Sequence, residues 1–590
     1  MVDLQWLIGG EAGYGIMTVG LMMSKIFTRL GLHVFDYVEY PSLIRGGHNA
    51  YYVRGSDVEM TSQKRPVDIL VALNLETITL HKTELSPNAV VIFDPNIVQV
   101  KAEDFSPTVK LYPVPFLELT KKLGADRLMI NTVAVGASLA LFSSDFSILE
   151  KIMNDIFGRK GEQVVGENVN TSKAGFDHVV GQYGKTLVAN IAKTEQKNLL
   201  IGGAEAIALG SIKAGLKFAA IYPMTPINGV MTTLVANALT YNIVVKEPED
   251  EIAGINMALG AAYAGVRSMA ATSGGGFSLM VEGLGLAAQT EVPIVIIMGM
   301  RPGPATGMPT WTEQGDLRFV LHAHQGDFPR IIVAPGDPTE AFYHTMHAFN
   351  LAEKYHLPVI VLVDKYLNEG HVTVESKILR EMSDTFVLQR GKLLTDAEVA
   401  AQTDYKRYLL TTDGISPRSL PGQKGGISLT GSDEHDERGL YNEEAEVRQA
   451  MMDKRFKKME TALSDFPKPE LYSSESENLA TLQQAPLTLV SFGSTKMPIL
   501  EAMRWLKRDG IHVNFVKVSY LNPFPTEPLA ILLKQAKKTL IIENNHEGQF
   551  EGLIRERTGL VMNEHLRKYD GRPFYPEEIV DHVKALLAKS

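Results

Sequence analysis

Three stretches in the middle of the chain set reactive side chains where an apolar run breaks into glycine or proline. In Val245-Lys246-Glu247-Pro248-Glu249-Asp250-Glu251 a strand-like run ends, and Glu251 opens an Ala/Gly-rich helical pattern running past Ala262. An acid in a first helical turn is often there only for the helix dipole. A helix so rich in small residues also permits close approach by a neighbour or ligand. Ile221-Tyr222-Pro223-Met224-Thr225-Pro226 holds Thr225 between two prolines, whose fixed backbone could leave the hydroxyl exposed at a strand end. A rigid turn is the plainer alternative. Thr272-Ser273-Gly274-Gly275-Gly276-Phe277-Ser278 is a strand-to-helix loop with bare backbone, and Arg301 follows a very apolar run ending at Met300. A guanidinium there could grip a carboxylate in a bidentate fork, or make a surface salt bridge.

Near the N-terminus, Gly9-Gly10-Glu11-Ala12-Gly13-Tyr14-Gly15 follows a strand pattern and opens a helix pattern. Such loops can turn backbone N–H groups toward a phosphate. The spacing departs from the strict dinucleotide fingerprint, so a tight packing turn explains it equally well. Asp36 falls roughly where a ribose-binding acid would sit. Arg45-Gly46-Gly47-His48-Asn49 is a second candidate anion loop, or a structural turn.

The elements that must position these residues read as α/β throughout. Val2–Ile8, Ile16–Leu30 and the run from His33 form a β–α–β beginning, followed by strands at Ile69–Leu73 and Val90–Phe93 and an Ala-rich helix over Asn131–Phe142. A second α/β unit begins near Leu199. Its predicted strands are Ala219–Tyr222, Ile243–Val245, Ser268–Thr272, Pro293–Met300, Arg330–Val333 and Leu357–Val363. Helical patterns such as Gly202–Ala214 and Thr339–Lys354 separate them, which predicts a doubly wound parallel sheet. A connecting region then carries weaker periodicity, the run Asp433-Glu434-His435-Asp436-Glu437-Arg438, and a charged helix over Met451–Leu463 that reads as exposed. A third α/β unit has strands at Leu487–Phe492, Val513–Val518 and Thr539–Glu543.

Composition narrows the class. A chain of 590 residues exceeds one core, since domains run to about 100–200 residues. A net charge of −10 argues against a nucleic-acid surface. The sequence contains no cysteine, which excludes a thiolate nucleophile and a Cys-bound zinc or iron–sulfur site in this chain. No run is long enough to cross a membrane and the N-terminus lacks a signal-peptide pattern, so a cytoplasmic protein is expected.

Taken together, these segments resemble the 2-oxoacid:ferredoxin oxidoreductases over nearly the whole chain. GGEAGYG and EYPSLIRGGHNA look like the family's gamma domain. AEAIALGSIKAGLKFAAIYPMTP, EDEIAGINMALGAAYAG, TSGGGFSLM and RPGPATGMPTWTEQGDL look like the pyrimidine-binding domain of its alpha part. SPRSLPGQKGG, GSDEHDERG and KRFKKM are similar to fused gamma–alpha subunits, and LVSFGSTKMPILEA with LIIENNHEGQF resembles a transketolase C-terminal-like domain. The resemblance implies a gamma domain over 1–190, a pyrimidine-binding domain over 199–370, a connecting region over 371–484 and a transketolase C-terminal-like domain over 485–590.

It also implies roles. Glu251 matches the glutamate that hydrogen-bonds N1′ of the thiamine aminopyrimidine and favours the imino tautomer, whose 4′-nitrogen takes the thiazolium C2 proton. Glu249 is a competitor, but the spacing from Glu251 to Gly260-Ala261 fits better. Thr225 and Arg301 match residues that hold the substrate carboxylate; Tyr222 and Pro226 shape that pocket, and Ser273 and Gly274 join the cofactor site. Arg45 and the first glycine loop become candidates for coenzyme A. Thiamine enzymes carry a GDG motif for Mg2+ and diphosphate, and no GDG occurs here. The resemblance therefore places the GDG motif, Mg2+ and a 4Fe–4S cluster on a beta subunit. A heterodimer or dimer of heterodimers would share the thiamine diphosphate, use a 2-oxoacid and coenzyme A, and reduce ferredoxin. The RPGPATGMPTWTEQGDL segment leans toward 2-oxoglutarate or broad 2-oxoacid enzymes, with Arg318 a guess for a second carboxylate-binding cation. The rivals are an indolepyruvate oxidoreductase, a dinucleotide-binding module and a non-catalytic scaffold.

Overall fold

The computed structural model describes residues 2–43, 46–142, 145–184, 191, 198–473 and 484–589. Its contacts group into two units. The first comprises Met1–Ile201, Gly370–Ser376 and Tyr575–Asp581, and the second holds the rest.

The first unit is built on an eight-stranded sheet. Its central strand, Asp3–Ala12, buries Trp6, Leu7 and Ile8 completely, as a strand covered on both faces must. Parallel strands Val67–Ala72, Leu85–Phe93 and Lys110–Pro113 extend the sheet on one side. The predicted β–α–β opening differs from the structure in one respect. Gly46–Ser56, read partly as a loop, is an eleven-residue strand that inserts antiparallel between Asp3–Ala12 and His33–Glu39. Residues His371–Glu375, assigned from sequence to the connecting region, pair antiparallel with His33–Glu39.

The second unit contains a seven-stranded sheet in the order 520–522, 331–333, 358–364, 294–300, 268–273, 218–221, 244–246. All pairs are parallel except that of Tyr520–Asn522 with Ile331–Val333. Every residue of Ile294–Met300 is buried, and a fully buried aliphatic side chain contributes about 1.5–3 kcal/mol. A five-stranded sheet follows, with Glu470–Ser473 antiparallel at one edge and Thr488–Ser491, Asn514–Lys517, Thr539–Glu543 and Glu564–Arg567 parallel. The two sheets share one apolar core, in which Met298 and Ile360 join Phe492, Val516 and Phe550. No helix among the described residues is long and apolar enough to cross a membrane.

One local expectation is overturned. The helix Ala445–Ala462 is not simply an exposed charged helix: Lys454, Arg455 and Lys458 are buried along one face. Lys454 and Lys458 both meet Glu291, at 2.5 Å each, and Arg455 meets Glu434 at 2.7 Å. The acidic run at Asp433–Glu437 thus makes salt bridges within this unit, Glu434 with Arg448 and Arg455, and Glu437 with Lys406.

Candidate active site

Neighbouring parallel strands deliver their carboxyl ends to one place, where ligands of doubly wound sheets bind. Phe218–Ile221, Ser268–Ser273 and Ile294–Met300 lie side by side. The Tyr222–Pro226 turn, the glycines 274–276 and Arg301 follow directly from them. Gly299 is needed beneath this turn, because a Cβ there would stand 2.9 Å from both Pro226 and Ile227.

Arg301 donates from Nη1 to the carbonyl oxygen of Thr225 at 2.9 Å. The two residues paired by resemblance are therefore joined, but through the backbone of Thr225 rather than its hydroxyl. The Thr225–Pro226 peptide is cis, and the Pro226 carbonyl accepts from Asn368 Nδ2 at 3.3 Å. Tyr222 stands exposed beside them. Burial lowers the Arg301 pKa, and Asp316 pulls it back up.

Glu251 begins the helix Glu251–Tyr263. Asp250 caps that helix by accepting from the Ala253 amide at 2.9 Å, a role suited to a short acid in extended backbone. This cap fixes the start of the helix, so that Glu251 turns inward and is only 3 % exposed, while Glu249 is exposed. Thr272 Oγ1 lies 3.5 Å from Glu251 Oε1. A Cβ at position 276 would stand 2.2 Å from that oxygen and 2.0 Å from Thr272 Oγ1, so only glycine leaves the carboxyl group its place. The Ser273 hydroxyl beside them is buried with no partner among the described residues.

A cleft of about 280 Å3 opens next to this cradle, lined by Gly274, Gly275, Arg301, Asp316, Phe319 and the loop after Arg301. Glu251 is not part of its lining; the glycine turn connects the two. Asp316 is the acid that the sequence reading did not single out, although it lies within the quoted TEQGDL segment. Burial pushes its pKa up to about 6 against the pull of Arg301, and one of its oxygens has no partner among the described residues. Glu313 is pushed up to about 7 by burial, with Asp316 and Asp570 adding to it. Position 274 must again be small, because a Cβ would meet Asp316 Oδ2 at 2.9 Å.

The elevated Asp316 gives a pH signature. The folded state holds the proton over a range where the unfolded chain releases it, so Asp316 subtracts stability as pH rises from about 4 to about 6, and the loss is complete above that window. Asp316→Asn is expected to match wild type in urea unfolding at pH 4 and to be more stable at pH 7.5. Equal stability at both pH values would contradict this.

The remaining candidates fall elsewhere. Arg318 is exposed and turned toward helix Gln549–Thr558, where a Cβ on Gly552 would meet its Nη2 at 2.2 Å; it does not line the Arg301 cleft. Arg45 lies outside the described residues. In the first glycine cluster, Gly9 and Gly10 are inside the strand, and only Gly13 and Gly15 take the left-handed backbone of a turn. Gly9 is there for close packing, since a Cβ would meet Thr77 at 2.5 Å and His48 at 2.8 Å. Asp36 is fully buried and already engaged. It accepts from Ser24 Oγ at 2.7 Å and from the His371 amide at 2.9 Å, and pairs with His371 Nδ1 at 2.8 Å. A carboxylate so occupied is not offered to a ribose, which removes the motif behind the dinucleotide reading.

Comparison with known proteins gives the family. The thiamine-diphosphate-binding family model of pyruvate flavodoxin/ferredoxin oxidoreductases matches residues 209–454. A pyruvate ferredoxin/flavodoxin oxidoreductase model matches residues 5–178, and the core domain II model of pyruvate:ferredoxin oxidoreductase matches 485–579. The alpha subunit of 2-oxoacid:ferredoxin oxidoreductase 2 from Aeropyrum pernix is 32 % identical over 100 % of this chain and 98 % of its own length. The KorA subunit of 2-oxoglutarate synthase from Methanothermobacter thermautotrophicus is 31 % identical over 65 % of this chain and 97 % of its own. Among solved structures, the 2-oxoglutarate:ferredoxin oxidoreductase of Magnetococcus marinus, with 2-oxoglutarate, coenzyme A and succinyl-CoA bound, superimposes with a TM-score of 0.89 at 32 % identity over 99 % of both chains. With the cradle around Glu251, the joined Arg301 and Thr225 and this full-length similarity, the chain belongs to the 2-oxoacid:ferredoxin oxidoreductase family, among its alpha subunits.

Proposed function

We propose that this chain supplies the pyrimidine-binding half of a thiamine-diphosphate site in an enzyme that decarboxylates a 2-oxoacid oxidatively. The acyl group passes to coenzyme A, CO2 leaves, and two electrons go to ferredoxin. The observation that carries the reading is the buried Glu251 carboxyl in its Thr272–Gly276 cradle, one turn from a cleft holding Arg301. The 2-oxoglutarate and coenzyme A held by the Magnetococcus enzyme, and the 2-oxoglutarate synthase relative, favour 2-oxoglutarate or a broad range of 2-oxoacids.

The residues suit the cofactor's aminopyrimidine. Glu251 offers an acid to a ring nitrogen, the glycines 274–276 leave a face uncovered by side chains, and Ser273 has a hydroxyl without a partner among the described residues. When bound, thiamine diphosphate would supply the nucleophile and the electron sink that decarboxylation of a 2-oxoacid needs. Glu251 holds a proton against the ring. Arg301, fixed by the Thr225 carbonyl, binds the substrate carboxylate with its remaining N–H groups. Tyr222 and Pro226 bound the substrate's path. Asp316, raised to about 6, can donate a hydrogen bond in the same cleft below that pH and accepts one above it.

With no GDG sequence and no cysteine, the chain lacks the usual means to hold diphosphate with Mg2+ or a 4Fe–4S cluster. These belong on a beta subunit, in a heterodimer or dimer of heterodimers in the cytoplasm. Residues 1–190 serve as the gamma domain and help bind coenzyme A, Arg45 among them; 199–370 bind the pyrimidine, 371–484 connect, and 485–590 form the transketolase C-terminal-like part. The division predicts a binding result. The chain alone should release thiamine diphosphate and Mg2+ on gel filtration, and the complex should retain one cofactor per alpha chain. Stoichiometric retention by the chain alone would overturn the shared site.

A further inference from the structure

Beneath the connecting region lies a buried cluster with a surplus of positive charge. Arg267, Arg407, Arg418, Lys454 and Lys458 are all buried, with Arg390 at their edge. The carboxylates among them are Glu291 and Glu353. Glu291 is taken by Lys454 and Lys458. Glu353 is shared by Arg390 at 2.9 Å and Arg418 at 3.0 Å. Arg407 donates to the Glu291 carbonyl oxygen at 2.7 Å, lies over the face of Tyr408, and shares the charge of the Glu291 carboxylate with the two lysines. Arg407 and Arg418 are 5 % and 4 % exposed, and Arg407 Nη1 and Arg418 Nε have no acceptor among the described residues. Buried charge left uncompensated is costly. The strain is visible in Lys458, whose pKa burial pushes down to about 7 even with Glu291 in contact, and in Arg418, lowered by burial to about 10.

The same two arginines line a pocket of about 220 Å3 whose wall includes the exposed residues Pro421, Gly422 and Ile427. No Asp or Glu lines it; Gln423 and the glycine backbone at 422 and 426 complete its wall. It is smaller than the roughly 300–1,000 Å3 typical of drug-sized ligands. Tyr263 ends the helix begun by Glu251, and Val292 precedes the strand Ile294–Met300. The pocket therefore lies at the amino ends of the parallel strands, whereas Thr225 and Arg301 stand at their carboxyl ends.

We propose that this pocket is a second site, separate from the catalytic one, that binds a phosphoryl dianion against Arg407 and Arg418. A dianion offsets two of the surplus charges, and guanidinium groups present several donors to a tetrahedral oxyanion. The ligand is free phosphate or the phosphoryl group of a small monoester. The site is independent of the oxidoreductase reading and does not stand or fall with it.

The test uses the full chain, freed of phosphate. Inorganic phosphate, glycerol phosphate and chloride are titrated at matched ionic strength, with the unfolding midpoint as readout. A bound anion raises that midpoint saturably. The expected result is a saturable rise with inorganic phosphate and none with chloride. A rise with glycerol phosphate as well assigns the site to monoesters, and its absence assigns it to free phosphate. Arg407→Gln should weaken the apparent phosphate affinity by about tenfold or more, as loss of a charge-assisted hydrogen bond does. Ser428→Asp leaves the cations in place and puts a carboxylate in the pocket. It should raise the midpoint without phosphate and abolish the phosphate increment. A wild-type response shared equally by phosphate and chloride, or a phosphate increment that survives intact in Ser428→Asp, overturns the proposal.

Discussion

Glu251→Gln leaves the complex folded and lowers its turnover by about 10²–10⁴-fold, the range in which one well-placed acid–base group acts. The amide has the shape of the carboxyl group, so the Gly276 cradle is not overfilled. The helix start does not depend on the Glu251 side chain, because Asp250 provides the cap. The substitution removes the exchangeable carboxyl proton from a group that is 3 % exposed, which water cannot readily replace. Steady-state turnover of the reconstituted complex, alongside its unfolding midpoint, checks this. Near-normal turnover would remove Glu251 from the mechanism, and a large fall in the midpoint would make its role structural.

Glu291→Gln should destabilise the chain by about 3–5 kcal/mol, the cost of breaking a buried ion pair from one side. Glu291 is fully buried. Burial pushes its carboxyl pKa up, but Lys454, Lys458 and Arg407 win and hold it well below the usual range. Without that charge two buried ammonium groups face each other. Lys458 is already lowered to about 7, so the variant sheds a proton there to escape the repulsion. A lysine lowered on folding costs stability as pH falls from its unfolded pKa to its folded one, where the unfolded chain holds a proton the folded chain lacks, and in the variant that window extends below 7. The loss should therefore be larger at pH 6 than at pH 9 in urea unfolding. A pH-independent loss, or one below about 1 kcal/mol, the scale of an exposed pair, would contradict the buried network.

The helix that carries those lysines shows where sequence patterning misleads. Ala445–Ala462 has the charge density of a solvated helix, and only the distant Glu291 and Glu434 reveal that one face is internal. Pattern reading works best where one physical cause dominates. The short continuous apolar run at Ile294–Met300 reads as a strand covered on both faces, and the parallel α/β class followed from such runs. Gly46–Ser56 was obscured because its glycines imitate a turn, although Ala50–Val53 is buried in the sheet. His371–Glu375 pairs with a strand more than three hundred residues earlier, a contact that no local signal encodes. In the candidate site, the acid and the arginine were legible as residue types at strand and helix ends. The glycine at 276 that makes room for Glu251, the backbone route from Arg301 to Thr225 and the elevated Asp316 all depend on three-dimensional proximity.

The most direct test of the central claim is anaerobic reduction of a low-potential acceptor by the chain co-expressed with a partner carrying GDG and cysteines. The assay supplies thiamine diphosphate, Mg2+ and coenzyme A, and compares 2-oxoglutarate, pyruvate and 2-oxobutyrate. The account predicts reduction that requires coenzyme A, with 2-oxoglutarate among the acids turned over. No reduction with any of the three acids, by a complex shown to hold both thiamine diphosphate and an intact cluster, would contradict it.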